Sequence, residues 1–259
     1  MKNHFTALLL TTSLAGAATT VRAQTVIQFG PRLGVNLSTS SNSGTPSDFN
    51  EATKSIVGVQ VGGTLSVGIT DKFSFQPSLL YSQKGMESTG SQTDRSDPHY
   101  ATIIKASATI KLNYFELPFN FVYAIGGAEG FQLFAGPYVA VGVGGSGSYK
   151  VNLNSNNPQF AQFNGDYPGS LTVEFADKQD DNSTVNNNSS TPTIIVTTRR
   201  FDAGFNAGIG YRVGPFQAQL GYDLGLVNSV PKDSDGNDTG SKSYHRVLQL
   251  SANYFLGGK

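Results

Sequence analysis

Residues 56–69 read IVGVQVGGTLSVGI, and the way this stretch divides decides the fold. Every second residue gives Val57, Val59, Val61, Gly63, Leu65, Val67 and Ile69 on one side. The other side holds Gly58, Gln60, Gly62, Thr64, Ser66 and Gly68. Successive side chains of an extended chain point to opposite faces, so this is a strand with one bulky apolar face and one small, polar face.

Working outward, the same division recurs in residues 27–38, 73–86, 114–125, 131–144, 201–213, 216–226 and 244–256. In 114–125 Phe115, Leu117, Phe119 and Phe121 stand against Tyr114, Glu116 and Asn120. In 216–226 Phe216, Leu220, Tyr222 and Leu224 stand against Gln217, Gln219, Gly221 and Asp223. After the first residues no segment is apolar for long enough to cross a bilayer as a helix, and none carries a sustained 3.6-residue stripe. The pattern predicts an all-β chain of eight strands.

Alternation alone does not say which face is inside. A water-soluble barrel fills its interior with the apolar face and turns Lys, Glu and Asp outward. Here the polar face is mostly Gly, Ser, Asn and Gln, which suits a crowded interior, while the opposite face carries large apolar residues throughout. That outside-in arrangement is the pattern of a membrane barrel. The connections support it. Short links at 70–72, 126–130 and 214–215 alternate with long polar segments at 39–55, 87–111, 145–200 and 228–243, as periplasmic turns alternate with extracellular loops. Phe29, Phe73, Tyr123, Phe131, Tyr211, Phe216 and Tyr254 fall on the outward face near the short turns, where an interfacial girdle belongs; Phe115, Phe201 and Tyr244 suit a sparser upper ring. The expected architecture is an eight-stranded antiparallel up-and-down transmembrane β-barrel with long extracellular loops.

Composition narrows the function classes. The chain has 18 basic and 18 acidic residues, so it carries no electrostatic footprint for nucleic acid. Cys is absent, which removes disulfides, thiolate metal sites and a cysteine nucleophile. The first residues, MKNHFTALLLTTSLAGAATTVRAQ, combine a basic start, an apolar run and a small-residue cleavage pattern before Gln24, which predicts a signal peptide over residues 1–23 and an exported barrel domain over 24–259.

Several stretches in order, FGPRLGVNLS, PSLLYSQKG, YFELPFNFVYAI, FQLFAGPYVAVGVGG, DAGFNAGIGYRVGPFQAQLGYDLGLVN and HRVLQLSANYF, resemble the PorT-like outer-membrane β-barrel (porin family) proteins of Bacteroidota. The resemblance implies an eight-stranded barrel in the outer membrane of a Gram-negative bacterium, whose relatives mostly have no assigned activity. The ending Phe255-Leu256-Gly257-Gly258-Lys259 departs from the terminal aromatic residue on which many such barrels finish.

Residues 142–147, Gly-Val-Gly-Gly-Ser-Gly, match the glycine spacing of a dinucleotide fingerprint. The fingerprint needs a helix after it, whose N-terminus meets the pyrophosphate, and Ser148-Tyr149-Lys150-Val151-Asn152-Leu153 has no helical pattern. The glycines read instead as the upper end of a strand that packs closely or bends. Six charged residues fall on the inward face: Arg32, Lys84 and Arg212 against Glu116, Asp202 and Asp223. They are expected to form a structural network filling the bore, with Arg32, Glu116 and Asp223 nearest mid-height; a narrow polar conduit is the alternative. His99 and His245 are read as idle groups at loop edges. Residues 232–238, KDSDGND, lack the glycine at the sixth position and the glutamate at the twelfth of a calcium loop. The tract at 180–190 reads as a polar loop tip. No catalytic, cofactor-binding or metal-binding residue is expected. Pro31, Pro77, Pro118 and Pro137 lie inside predicted strands, where each removes a ladder donor; bulges are expected there.

The expected role is non-enzymatic: structural, surface-interaction or secretion and assembly accessory. The expected partners are outer-membrane lipid, the barrel assembly machinery and an envelope or surface protein met by the long loops. A narrow diffusion pore and a soluble lipocalin-like ligand-binding barrel are the rival readings.

Overall fold

The computed structural model describes residues 26–44, 50–95, 99–127, 129–179 and 193–257. The expected signal peptide and the tract at 180–190 lie outside these residues. Among the described residues eleven strands are present: β1 (Ile27–Ser43), β2 (Asn50–Lys54), β3 (Ile56–Gly68), β4 (Phe73–Asp94), β5 (Thr102–Ala124), β6 (Gly130–Ser155), β7 (Gly165–Phe175), β8 (Thr193–Thr198), β9 (Phe201–Val213), β10 (Phe216–Gly225) and β11 (Lys242–Tyr254). Eight of them close a ring in the order β1, β3, β4, β5, β6, β9, β10, β11 and back to β1, every pair antiparallel. The closing pair runs from Arg32↔Asn253 to Ser43↔Lys242. A closed ring satisfies backbone donors and acceptors without leaving a sheet edge, which is what a membrane demands of a β structure.

The orientation follows the sequence pattern. Val57 is 65% exposed and Val59 51%, while Gln60 and Asn120 are 2% and 1% exposed. Burial in β10 alternates residue by residue from exposed Phe216 to buried Gly225. The apolar face is outside and the polar face inside. Three cross-strand aromatic pairs, Phe73–Tyr123, Phe131–Tyr211 and Phe216–Tyr254, lie at the short-turn end with ring centroids 4.8–4.9 Å apart. Paired rings at one level form the girdle that interfaces favour.

The short links are turns. Between β9 and β10 the register puts Val213 opposite Phe216, which leaves two turn residues. Gly214 adopts φ +53° there, the first-position conformation such two-residue hairpins require. Residues 126, 127 and 130 are likewise glycines with positive φ in the β5–β6 link.

Three of the four segments expected to be loops are instead largely strand. β4 and β5 stay paired to Asp94↔Thr102, and β6 runs on to Ser155. Residues 50–54 form β2, which pairs with β4 above the point where β3 begins. Above Val141, where β9 stops pairing with β6, β7 takes its place antiparallel to β6, and β8 adds parallel to β7. Alternation stops where the contrast between hydrocarbon and bore ends, but backbone pairing needs no alternation once both faces meet polar surroundings. Runs such as Thr193-Ile194-Ile195-Val196 carry β propensity of their own. Residues 228–241 remain mostly irregular, as expected.

The expected bulges at the prolines are absent. Pairing of β4 with β5 passes from Pro77↔Phe119 to Leu80↔Glu116 without a shift, skipping the positions beside Pro118. β5 with β6 skips in the same way beside Pro137, and β3 with β4 beside Pro77. Pairing of β1 with β11 begins at Arg32, one residue past Pro31. In an antiparallel sheet a residue directs its N–H toward one neighbour only, so a proline interrupts one ladder while the strand on its other side keeps the register. The one register shift among the barrel pairs lies between Asn113 and Tyr114, which face Gly144 and Gly142. Val143 is thus the extra residue of a bulge inside the Gly142–Gly147 run, and the strand continues beyond it.

Candidate functional site

The inward residues form layers along the bore. At the short-turn end the alternation of β3, β4, β6, β10 and β11 brings amides and hydroxyls together. Gln217 donates to Gln132 Oε1 at 2.6 Å and to Gln76 Oε1 at 3.3 Å. Asn253 donates to Gln217 at 3.1 Å, Thr64 to Asn253 at 2.9 Å, and Thr64 shares a hydrogen bond of 2.8 Å with Ser78. Each of these side chains is buried, so their mutual bonding replaces the water they have lost.

Above this belt Gln249 joins two charges. Its amide donates to Asp223 Oδ1, and its carbonyl accepts from Arg32 at 3.3 Å and from Gln60 at 3.2 Å. Higher again, Lys84 stands between Glu116 Oε2 at 2.7 Å and Asp202 Oδ2 at 3.2 Å, all three buried. The Lys84 Nζ lies 4.5 Å from the Tyr138 ring centroid and 5.6 Å from that of Tyr114. Tyr138 donates to Asp202 Oδ2 at 3.1 Å, and the Tyr114 hydroxyl lies 3.2 Å from His245 Nε2. An ammonium held by two carboxylates and two aromatic faces has its desolvation offset on every side.

The six inward charges are therefore not one network. Lys84, Glu116 and Asp202 meet directly; Arg32 and Asp223 are joined through Gln249. Arg212 stands apart at the short-turn mouth, half-buried, donating to Gln28 Oε1 at 2.6 Å and to the Gly214 carbonyl, with its guanidinium 4.8 Å from the Phe255 ring. The mid-height trio is divided too, since Glu116 pairs with Lys84 while Arg32 and Asp223 share the amide.

Three further side chains, Tyr114, Tyr138 and His245, complete the surroundings of Lys84 and Asp202. Tyr114 and Tyr138 are, with Phe134, bulky aromatics at inward positions, a signal the alternation already contained. His245 is a correction. It is not a solvated group at a loop edge but 2% exposed inside the barrel; β11 begins at Lys242, so residue 245 is an inward strand position.

The upper end of the bore is closed by β7. Leu112, Tyr114, Tyr138, Ala140 and Val173 form a buried cluster, with Ile110 and Phe175 packed against it. The Phe175 ring meets Tyr114 edge-on at 5.8 Å and occupies the space a side chain at residue 142 would need. A Cβ on Gly142 would lie 2.2 Å from the Phe175 ring, so this glycine is required by close approach. Above the ring, the Lys150 ammonium lies 2.6 Å from Asp166 Oδ2 across β6 and β7. Hydrogen bonds from Lys150 and Asn152 hold the Asp166 carboxyl below the usual carboxylate range. Among the described residues no group of three or more His, Asp or Glu is placed to hold a metal ion. In the 232–238 segment Asp233 accepts from the Asn237 backbone N–H at 2.6 Å, closing a polar turn.

A closed antiparallel ring with an apolar exterior and a hydrogen-bonded polar interior defines an outer-membrane β-barrel. The chain belongs to the outer membrane protein beta-barrel domain family, whose profile matches residues 22–230. No curated protein matches the chain. Among solved structures it is similar to Ail, the attachment invasion locus protein of Yersinia pestis, in complex with the heparin analogue sucrose octasulfate. The identity is 12%, over 89% of this chain and 99% of that one, with a TM-score of 0.38. Neisserial surface protein A is similar at 10% identity, over 87% of this chain and 96% of that one, with a TM-score of 0.36. The NanC porin is similar at 10% identity, over 89% of this chain and all of that one, with a TM-score of 0.24.

Proposed function

We propose that this is a non-enzymatic, non-conducting barrel that anchors a strand-built surface in the outer membrane for contact with another envelope or surface protein. Eight strands span the bilayer in up-and-down order, and the extensions of β4, β5 and β6 with β2, β7 and β8 stand on the extracellular side. The sequence stretches quoted above support placing it among the PorT-like barrels of Bacteroidota, exported by its signal peptide and inserted by the barrel assembly machinery. The observation that carries the reading is the bore: the Lys84–Glu116–Asp202 cluster fills it between Tyr114 and Tyr138, with Phe175 seated above. Filled by side chains at this level, an eight-stranded barrel has no room for a solute path.

Reconstitution into planar bilayers tests this directly. The protein is expected to give no single-channel steps, and a reproducible unitary conductance would replace the anchor with the diffusion pore. On intact cells, protease is expected to cut in the irregular segment at 156–164 and to spare 70–72, 126–130 and 214–215. Cleavage at those turns would invert the orientation.

A further inference from the structure

Above the Lys84 cluster the interior changes character. A cavity of about 200 Å³ lies between the barrel wall, β7, β8 and the segment at 229–231. Met86, Leu112, Val173, Val196 and Pro231 line it, together with His245 and several Ser and Thr residues. His245 is buried, and while its Nε2 meets the Tyr114 hydroxyl, its Nδ1 has no hydrogen-bond partner. A buried ring nitrogen left without a partner is uncommon in native proteins and calls for a further group. If Tyr114 donates to Nε2, Nδ1 carries the proton and needs an acceptor; if Nε2 donates, Nδ1 needs a donor. A hydroxyl answers either need.

We propose that this cavity binds a small apolar molecule bearing one hydroxyl, of the monohydric phenol class, with its ring among Leu112, Val173 and Val196 and its hydroxyl on His245 Nδ1. An apolar cavity of about 150 Å³ already takes up benzene, so this one holds a ring with a substituent. A ligand so small is bound by burial of its ring, and the single polar contact sets its orientation. The site stands independently of the surface role proposed above, since it uses the cavity-lining side chains of β7 and β8 and not the surface those strands expose.

The chain contains two methionines, Met1 and Met86, so the methyl spectrum of methionine-labelled protein places a reporter in the cavity wall. Refolded full-length chain in micelles is titrated with p-cresol and with toluene, and the Met86 signal is assigned with Met86→Leu. A saturable shift is expected, with p-cresol binding about fivefold tighter than toluene, the effect of one hydrogen bond. Val196→Phe fills the cavity and abolishes saturation, and His245→Phe removes the preference for p-cresol or reverses it in favour of toluene, because the buried hydroxyl then has no partner. Heat-modifiable gel mobility shows that each variant is folded; Val196→Leu, which fills less and weakens binding, serves if the larger substitution prevents folding. A linear, non-saturating shift in the wild type would mean partition into the micelle and a cavity holding only water, and would overturn the site. Saturation that survives in the filled variant would overturn it too, and equal affinities in the wild type would overturn the His245 contact.

Discussion

Lys84 is fully buried, with its ammonium between two carboxylates and beside two tyrosine rings. Removing one member of such a group leaves the others charged and desolvated, which costs about 3–5 kcal/mol. Lys84→Met is therefore expected to lower the unfolding free energy in lipid vesicles, read from urea titration, by that amount. The triple change Lys84→Met, Glu116→Gln, Asp202→Asn is expected to recover most of it; a single variant as stable as the wild type would show that the charges are not paired in the folded barrel. Alternation placed Lys84, Glu116 and Asp202 on the inward face, because side-chain period is a local property. It did not say that Glu116 would choose Lys84 over Arg32, or that Gln249 would bridge Arg32 to Asp223. Those choices depend on the stagger between strands distant in sequence: Lys84 and Asp202 lie 118 residues apart. Phe175 and Gly142 give the same lesson. The glycine was legible as a place of close approach, but the ring that fills it comes from a segment read as loop.

At the scale of elements, the strands within the membrane and those beyond it obey different rules. Within the barrel each strand alternates because one face meets hydrocarbon and the other a polar bore, so eight strands could be located from period two alone. Beyond it that contrast ends, and the pairing of Glu87↔Thr109 through Asp94↔Thr102 rests on backbone hydrogen bonds and cross-strand contacts. A paired strand resists proteolysis even where its side chains are exposed, because cleavage requires local opening. Trypsin acting on the folded protein is expected to cut after Arg95 and to spare Lys105 and Lys111, which are exposed but lie within β5. Peptide mass spectrometry reads the sites, and equal cutting at all three would return 87–111 to a loop. The prolines belong to this scale as well. Their effect on donors was legible, but the remedy was not, since a lapse in one ladder held in register by the other requires knowing both neighbours of each strand.

For the molecule as a whole, the outward face is the decisive surface. Val59 pairs with Val35 in the middle of the β1–β3 ladder, and both are exposed. A charge introduced there enters hydrocarbon, so Val59→Arg is expected to destabilise the barrel in phospholipid vesicles by about 2–4 kcal/mol. Ala52→Arg, on exposed β2 beyond the barrel, is expected to change stability by no more than about 0.5 kcal/mol. Equal, small effects at the two positions, read from urea unfolding, would mean that the Val59 face is not in the bilayer. The sequence by itself determined the all-β class, the eight alternating strands, the three tight turns and the direction in which each face points. All of these follow from the local alternation of side chains about an extended backbone and from the residue types a solvent or a packed interior accepts. Only the tertiary structure decided the partners within the bore, the burial of His245, the pairing beyond the barrel and the seating of Phe175 over the lumen. Each of these depends on register between segments far apart in the chain, which no local pattern encodes.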